Sequence, residues 1–228
     1  MDTVIQQVTN NLKRYEMVRK AGRGAERYLL NGIETVLDFR YNIHTRSNDV
    51  NPAFQDDEGY DPISYPGLKC IQEKVGIAEG EVLVDIGCGR GRAICLFSRL
   101  PAVARCIGIE YHLGHARIAQ KNAHNVRGGV APITVIHGDA AEQSYDDTTL
   151  IFLFNPFGEA TMRRTIDRIG LSLQERPRPI RLVYVNPKHE NVLAEQPWLT
   201  KIDSFFIPNR IHRSLPTSLW RATGHAQG

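Results

Sequence analysis

Cysteine is scarce in this sequence. Cys70, Cys88, Cys95 and Cys106 are the only four among 228 residues, with no C-x-x-C pair and no His/Cys grouping at structural-zinc spacing. A disulfide-stapled miniature fold and a zinc module are thereby excluded, and isolated thiols are expected. His112, His115, His124, His137 and His189 form no metal signature either, so no metal is expected. Long apolar runs are also missing. None approaches the roughly 20 residues a helix needs to cross a bilayer. The opening MDTVIQQVTNNLKRYEM places polar residues where a secretory signal needs an uninterrupted apolar stretch. A reducing, cytoplasmic location with no membrane partner is the expectation. There is no internal repeat, coiled-coil heptad or low-complexity tract.

A strong charge of one sign is absent as well. The net charge of +3 is too small to imply nucleic-acid binding by itself. The basic residues are skewed in kind, with 21 arginines against 7 lysines. Arg14, Arg19, Lys20, Arg23 and Arg27 crowd the N-terminal stretch, and Arg163, Arg164 and Arg168 form a second group. Each group reads either as a solvated face with carboxylate partners or as a surface for an anionic partner. What is present is ample apolar material: 42% hydrophobic against 23% charged residues suffices for most of the chain to fold.

Two regions differ in pattern. Residues 1–64 read as an N-terminal helical extension and connector, and residues 65–228 as an α/β domain. Val8, Leu12, Tyr15 and Val18, then Tyr28, Leu29, Ile33, Val36 and Leu37, carry helical spacing interrupted at Gly22 and Gly24, so two helices or one bent helix are both allowed. Residues 42–66 are rich in Asn, Asp, Pro and Tyr and form a long connector, mobile or placed over a neighbouring site. Beyond it, strands are expected at 81–86, 103–110, 133–138, 149–154 and 180–186, with helices at 91–99, 112–124 and 160–174. This alternation needs helices on both faces of a mainly parallel sheet. Residues 199–208 and 210–222 read as a closing antiparallel pair, in which Pro216 predicts an edge, a bulge or a short break.

The sharpest local signal is EVLVDIGCGRGRAICLF, a strand running into a helix through Gly87, Gly89 and Gly91. Three spaced glycines let the backbone and the next helix N-terminus approach a ligand. The spacing differs from G-x-G-x-x-G, and no G-x-x-x-x-G-K-[ST] is present. Asp85 before the loop disfavours a phosphate, so an uncharged or cationic ligand fits better; Arg90 and Arg92 face solvent or hold acidic residues. Glu110 closes the second strand, 19 residues after Gly91, where an acid can accept both hydrogen bonds of a ribose diol or merely cap a helix. Asp139 and the Ala140 amide follow the third strand and can meet an adenine, or form a capped acidic turn. All three signals lie at carboxyl ends of strands, the place for a ligand crevice in an open α/β sheet.

Taken together, VLVDIGCGRG, CIGIE, HGDAAE and LFNPFG resemble the motifs of the class I S-adenosylmethionine-dependent methyltransferases over about residues 65–222. The resemblance implies a Rossmann-like seven-stranded mixed sheet flanked by helices, six strands parallel and one antiparallel near the C-terminal edge. It implies S-adenosyl-L-methionine as cofactor and S-adenosyl-L-homocysteine as product. Asp85, Gly87, Cys88, Gly89 and Gly91 would line the methionine part, Glu110 the ribose, and Asp139 with Ala140 the adenine.

The acceptor side is read at Asn155-Pro156-Phe157-Gly158. Asn155 can hold an amine through its side-chain carbonyl, Pro156 restrains the backbone, and Phe157 stacks on a planar acceptor or walls the cationic methyl; the alternative is a strand-ending turn with Phe157 buried. NPFG resembles N-P-P-[YF] of amino-directed methyltransferases, with Phe157 in place of the second proline and Gly158 in place of the aromatic. Nitrogen is therefore the expected acceptor atom, on a protein or a small molecule in preference to nucleic acid. Tyr60, Asp61 and Tyr65 are candidates for closing the pocket, and Asn186 and His189 for shaping its entry or forming a turn. A noncatalytic cofactor-binding or interaction module is the competing class, and a nicotinamide oxidoreductase ranks third.

Overall fold

The computed structural model describes residues 23–46, 60–209 and 213–222. Helix α1 (Arg23–Tyr41) leads to helix α2 (Tyr65–Val75), followed by β1 (Glu81–Ile86), α3 (Arg92–Phe97), β2 (Val103–Glu110), α4 (Leu113–Asn125) and β3 (Ile133–His137). A 3-10 turn (Ala140–Glu142) precedes β4 (Leu150–Phe154), α5 (Glu159–Glu175), β5 (Arg181–Val185), α6 (Glu190–Ala194), β6 (Leu199–Asn209) and β7 (Arg213–Ala222). The seven strands lie in the order β3-β2-β1-β4-β5-β7-β6. β1 to β5 pair in parallel, and β7 runs antiparallel to both β5 and β6. This is the seven-stranded mixed sheet flanked by helices that the sequence implied.

Burial explains the strand sequences. LIFLF of β4 and VLVDI of β1 are apolar almost without alternation because both faces of the central sheet are covered. On one face Leu83, Phe152, Val183 and Leu219 pack with Ile94 and Phe97 of α3 and Leu68 and Ile71 of α2. Ile43 and Ile63, on either side of the 47–59 segment, join that same core. On the other face Val84, Ile151, Leu153 and Tyr184 pack with Met162, Ile166 and Ile169 of α5. Each fully buried Leu or Ile contributes about 1.5–3 kcal/mol. β6 is the outer strand, and its exposed Lys201 and Asp203 discourage edge-to-edge pairing.

α1 is described from Arg23, with Gly24 in its first turn, while residues 1–22, including Arg14, Arg19 and Lys20, lie outside the described residues. Two local expectations differ from what is seen. Tyr65–Val75 is a helix rather than the end of a connector: the Ser64 side chain accepts from the Gly67 amide, Pro66 occupies the first turn, and Gly76 closes it. Pro216 interrupts nothing, although β7 is an interior strand. Its carbonyl accepts from the Asn186 amide just beyond the last β5 pair, Val185 with Thr217. The proline's missing N–H thus faces the side where β5 has already ended, and no ladder bond is lost.

Candidate active site

The strand order reverses between β1 and β4, since β2 and β3 extend one way from β1 and β4 and β5 the other. At that switch point the carboxyl ends diverge and leave a crevice. A cavity of about 400 Å³ opens there, lined by Asp85, Gly87, Cys88, Gly89, Glu110, Asp139 and Ala140 together with Pro156 and Phe157. The loop, acid and turn signals read from separate strands therefore meet in one place. Gly91 caps α3 in the left-handed conformation (φ 80°) just behind this lining.

Two glycines of the loop are required by close approach. Gly87 (φ 73°) and Gly89 (φ 55°) both have left-handed backbone, and an added Cβ would overlap Pro156 at the first and the Tyr60 ring at the second. The glycine loop is thus in direct contact with the turn after β4 on one side and with residue 60 of the connector on the other. Tyr60 is held by a hydrogen bond from its hydroxyl to the Thr45 carbonyl. Its ring lies 4.7 Å from that of His115, which lies 4.5 Å from that of His112.

Glu110 is fixed by donors from two directions. Oε2 accepts from the Gly89 amide at 2.7 Å and Oε1 from the His112 amide at 2.7 Å. A carboxylate oxygen can accept more than one hydrogen bond, so these two amides do not by themselves bar the group from a diol. Asp85 is 3% exposed and has no cationic partner among the described residues. Burial, reinforced by the Glu110 charge, raises its pKa well above the ordinary carboxylate range. The cavity therefore presents buried acid waiting for positive charge.

The nearby arginines do not supply it. Arg92 reaches the cavity but is consumed: Nε donates to Thr45 Oγ1 at 2.7 Å, Nη1 to Glu34 and to the Ile63 carbonyl, and Nη2 to Asp38 at 3.2 Å. The guanidinium also lies 4.7 Å over the Tyr65 ring. Arg164 pairs with Asp139 at 2.8 Å. An S-adenosyl group, carrying an ammonium, a sulfonium and a ribose diol, fits this donor set: acid for the cations, Glu110 lone pairs for the diol, bare backbone for close approach.

Some expected residues are placed differently. Tyr65 does not close the pocket; it is buried and donates its hydroxyl to Asp38. Arg90 is buried, donates to the Arg46 carbonyl at 2.9 Å and lies 5.3 Å over the Tyr60 ring. Asp139 lines the cavity, with Oδ1 capping the 3-10 turn at the Ala141 amide. Asn155 is not part of the lining. It lies just behind Pro156 with φ 42° and 8% exposure, and its Oδ1 has no hydrogen-bond partner. Of the second arginine group, Arg163 pairs with Glu159 and Glu195, and Arg168 donates to the Gln143 carbonyl. His189 precedes α6, and Asn186 makes a left-handed turn (φ 50°) after β5. Tyr111, His112, His115 and Thr161 also line the cavity and were missed. For the first three the signal was present: they follow Glu110 directly at a strand end that enters a helix.

Asp85→Asn is expected to raise the melting temperature while weakening cofactor binding. The folded pKa of Asp85 lies above its unfolded value, so stability falls as pH rises from the ordinary carboxylate range through the raised pKa. The amide removes this cost and with it the charge that a cation needs. Calorimetric binding beside thermal melts at neutral pH checks both signs.

Among the described residues no helix is long and apolar enough to cross a membrane. Residues 84–156 match a family model described as a methyltransferase domain. No curated protein matches the chain. An RNA methyltransferase from Salinibacter ruber, solved with S-adenosyl-L-homocysteine, superposes with a TM-score of 0.51 at 20% identity, covering 73% of this chain and 97% of its own. A SAM-dependent O-methyltransferase from Thermotoga maritima gives 0.54 at 16% identity, covering 74% and 69%. A SAM-dependent methyltransferase from Aquifex aeolicus gives 0.54 at 10% identity, covering 68% and 89%. At such identities the structural likeness is one of fold, and it agrees with the matched domain. Residues 84–156 thus match a methyltransferase domain, set in the Rossmann-like fold that the chain shares with these solved methyltransferases.

Proposed function

We propose that the protein transfers a methyl group directly to a nitrogen acceptor, on a protein or a small molecule, at the turn after β4. When bound, S-adenosyl-L-methionine supplies an electrophilic methyl on a cationic sulfur, so the chain itself has to bind, orient and exclude water. Asp85 and the backbone of Gly87, Cys88, Gly89 and Gly91 hold the methionine part in this reading. Glu110 holds the ribose, and Asp139 with Ala140 borders the adenine.

The nitrogen assignment rests on Asn155, which lies behind Pro156 and outside the cavity lining: its buried carbonyl oxygen has no partner, its backbone is left-handed, and Pro156 and Phe157, one and two residues on, are in the cavity wall. An unpaired buried carbonyl costs free energy, and an acceptor N–H is the donor that would relieve it. As the acceptor nitrogen gains positive charge, a hydrogen bond from its N–H to Asn155 Oδ1 strengthens, which favours the transition state over the ground state. Phe154 and Phe157 give the acceptor side apolar walls, and Asp61 gives it an acid. The RNA methyltransferase among the structural neighbours shows that this fold also serves nucleic-acid acceptors, so polynucleotide pools belong in the assay.

Asn155→Ala should lower labelled-methyl incorporation by roughly 10–100-fold, the worth of one hydrogen bond to a group gaining charge. Cofactor affinity by calorimetry should stay nearly unchanged. Equal loss of both would place Asn155 in cofactor binding instead. Cofactor binding with no transfer across protein, small-molecule and RNA pools would favour a noncatalytic module.

A further inference from the structure

Away from the cofactor crevice, the carboxyl end of α1 meets the end of α3 and the loop after α4 in a groove of about 620 Å³, lined by Val36, Phe39, Arg40, Arg99 and Arg127 beside Tyr41. Val36 is 65% and Phe39 79% exposed, two large apolar side chains three residues apart and so on one face of the helix. No carboxylate lines the groove, and none of Arg40, Arg99 and Arg127 has an acidic partner among the described residues. Arg92, Arg105, Arg163, Arg164 and Arg181 are by contrast paired with acids. The groove gathers three guanidinium groups with no acid beside them.

The groove is also built rigidly. The Arg99 guanidinium lies 4.4 Å over the Tyr41 ring and donates to the Arg127 carbonyl, in space that a Cβ on Gly128 would fill. The Arg127 amide donates to the Tyr41 carbonyl at 2.9 Å, and Asn42 Nδ2 to the Asn125 carbonyl at 3.2 Å, which stitches the loop to the helix. Ordering a cation in advance lowers the entropy lost when an anion arrives.

We infer that this groove is a docking surface for an acidic, amphipathic segment of a partner protein. Charge complementarity asks for carboxylates against Arg40, Arg99 and Arg127, and the Val36–Phe39 strip asks for an apolar side chain next to them. A polypeptide offers both within a few residues. A polynucleotide offers phosphates for the arginines and base faces for Phe39, but nothing that matches the Val36 isopropyl group. The surface is separate from the methyl-transfer site, so its occupancy does not depend on the acceptor assignment.

The test is fluorescence anisotropy of the full chain with a labelled glutamate–tyrosine copolymer, polyglutamate and polyuridylate as probes. Saturable binding of the copolymer is expected, tighter than polyglutamate. An Arg40→Glu/Arg127→Glu double variant should weaken it by about tenfold or more. Phe39→Ser, at a side chain that is mostly in solvent, should weaken it by roughly threefold without lowering the melting temperature. Absent copolymer binding, or binding that ignores both variants, overturns the inference. So does tighter, competing binding of polyuridylate, which would assign the groove to nucleic acid.

Discussion

Arg92→Leu is expected to destabilise the protein by about 3–5 kcal/mol, because it leaves two buried carboxylates without their cation. Arg92 and Glu34 are 2% and 1% exposed, Asp38 7%, and the guanidinium serves both acids, the Thr45 hydroxyl and the Ile63 carbonyl at once. For a chain of this size the loss corresponds to a fall in Tm of roughly 6–20 °C. Burial already raises the Glu34 pKa against the opposing pull of Arg92, and removing the arginine raises it further. A carboxyl whose folded pKa exceeds its unfolded value of about 4.3 destabilises as pH rises through that interval. The variant's deficit should therefore shrink on acidification and be largest near neutrality. Adding Glu34→Gln and Asp38→Asn to Arg92→Leu should recover part of the stability, since neutral partners need no counter-charge. Urea melts of the single and triple variants at two pH values decide this, and a single variant as stable as the parent would refute the network's role.

Gly89→Val should reduce S-adenosylmethionine binding by more than tenfold. Left-handed backbone costs a residue with a Cβ about 1–2 kcal/mol, and more when it is β-branched, which alone approaches a factor of ten. The clash adds to that: the new Cβ would occupy the place of the Tyr60 ring, whose hydroxyl is tied to the Thr45 carbonyl. The Gly89 amide also orients Glu110 at 2.7 Å, so a shifted loop misplaces that carboxylate in the crevice. Gly89→Ala should show the backbone strain with less of the collision, and the two affinities, measured by calorimetry, separate those contributions. Unchanged cofactor binding in the valine variant would remove the glycine loop from the site.

The sheet was legible because its central strands are short apolar runs buried on both faces, such as LIFLF of β4, bounded by polar turns. Asp85, the glycines and Glu110 were legible because each stands at or just after a strand end, where a short stretch of sequence shows both the strand and the turn. Three things were not. Helix α2 opens with Ser-Tyr-Pro-Gly, which reads as turn chemistry until one sees that Ser64 accepts from Gly67 and Pro66 sits in the first turn. The role of Arg92 depends on Glu34 and Asp38, 58 and 54 residues earlier, and no local window connects a glycine loop to a helix that far upstream. Asn155 read as an acceptor contact by its type; its left-handed φ and its place behind Pro156 are tertiary facts, set by the contact of that turn with Gly87.

The acids on α1 have a consequence for any attempt to shorten the chain. A fragment starting at residue 65, where the sequence changes character, would carry the whole sheet and every strand-end residue of the crevice. It would also leave the first residue of α3 with a guanidinium facing the protein interior, stripped of Glu34, Asp38 and Thr45 and without water to replace them. Such a fragment would have to open α3 toward solvent, and the glycine turn in front of it would lose its anchor. The smallest fragment that keeps this network therefore begins upstream of Glu34, and the leading helix is a structural part of the protein's interior.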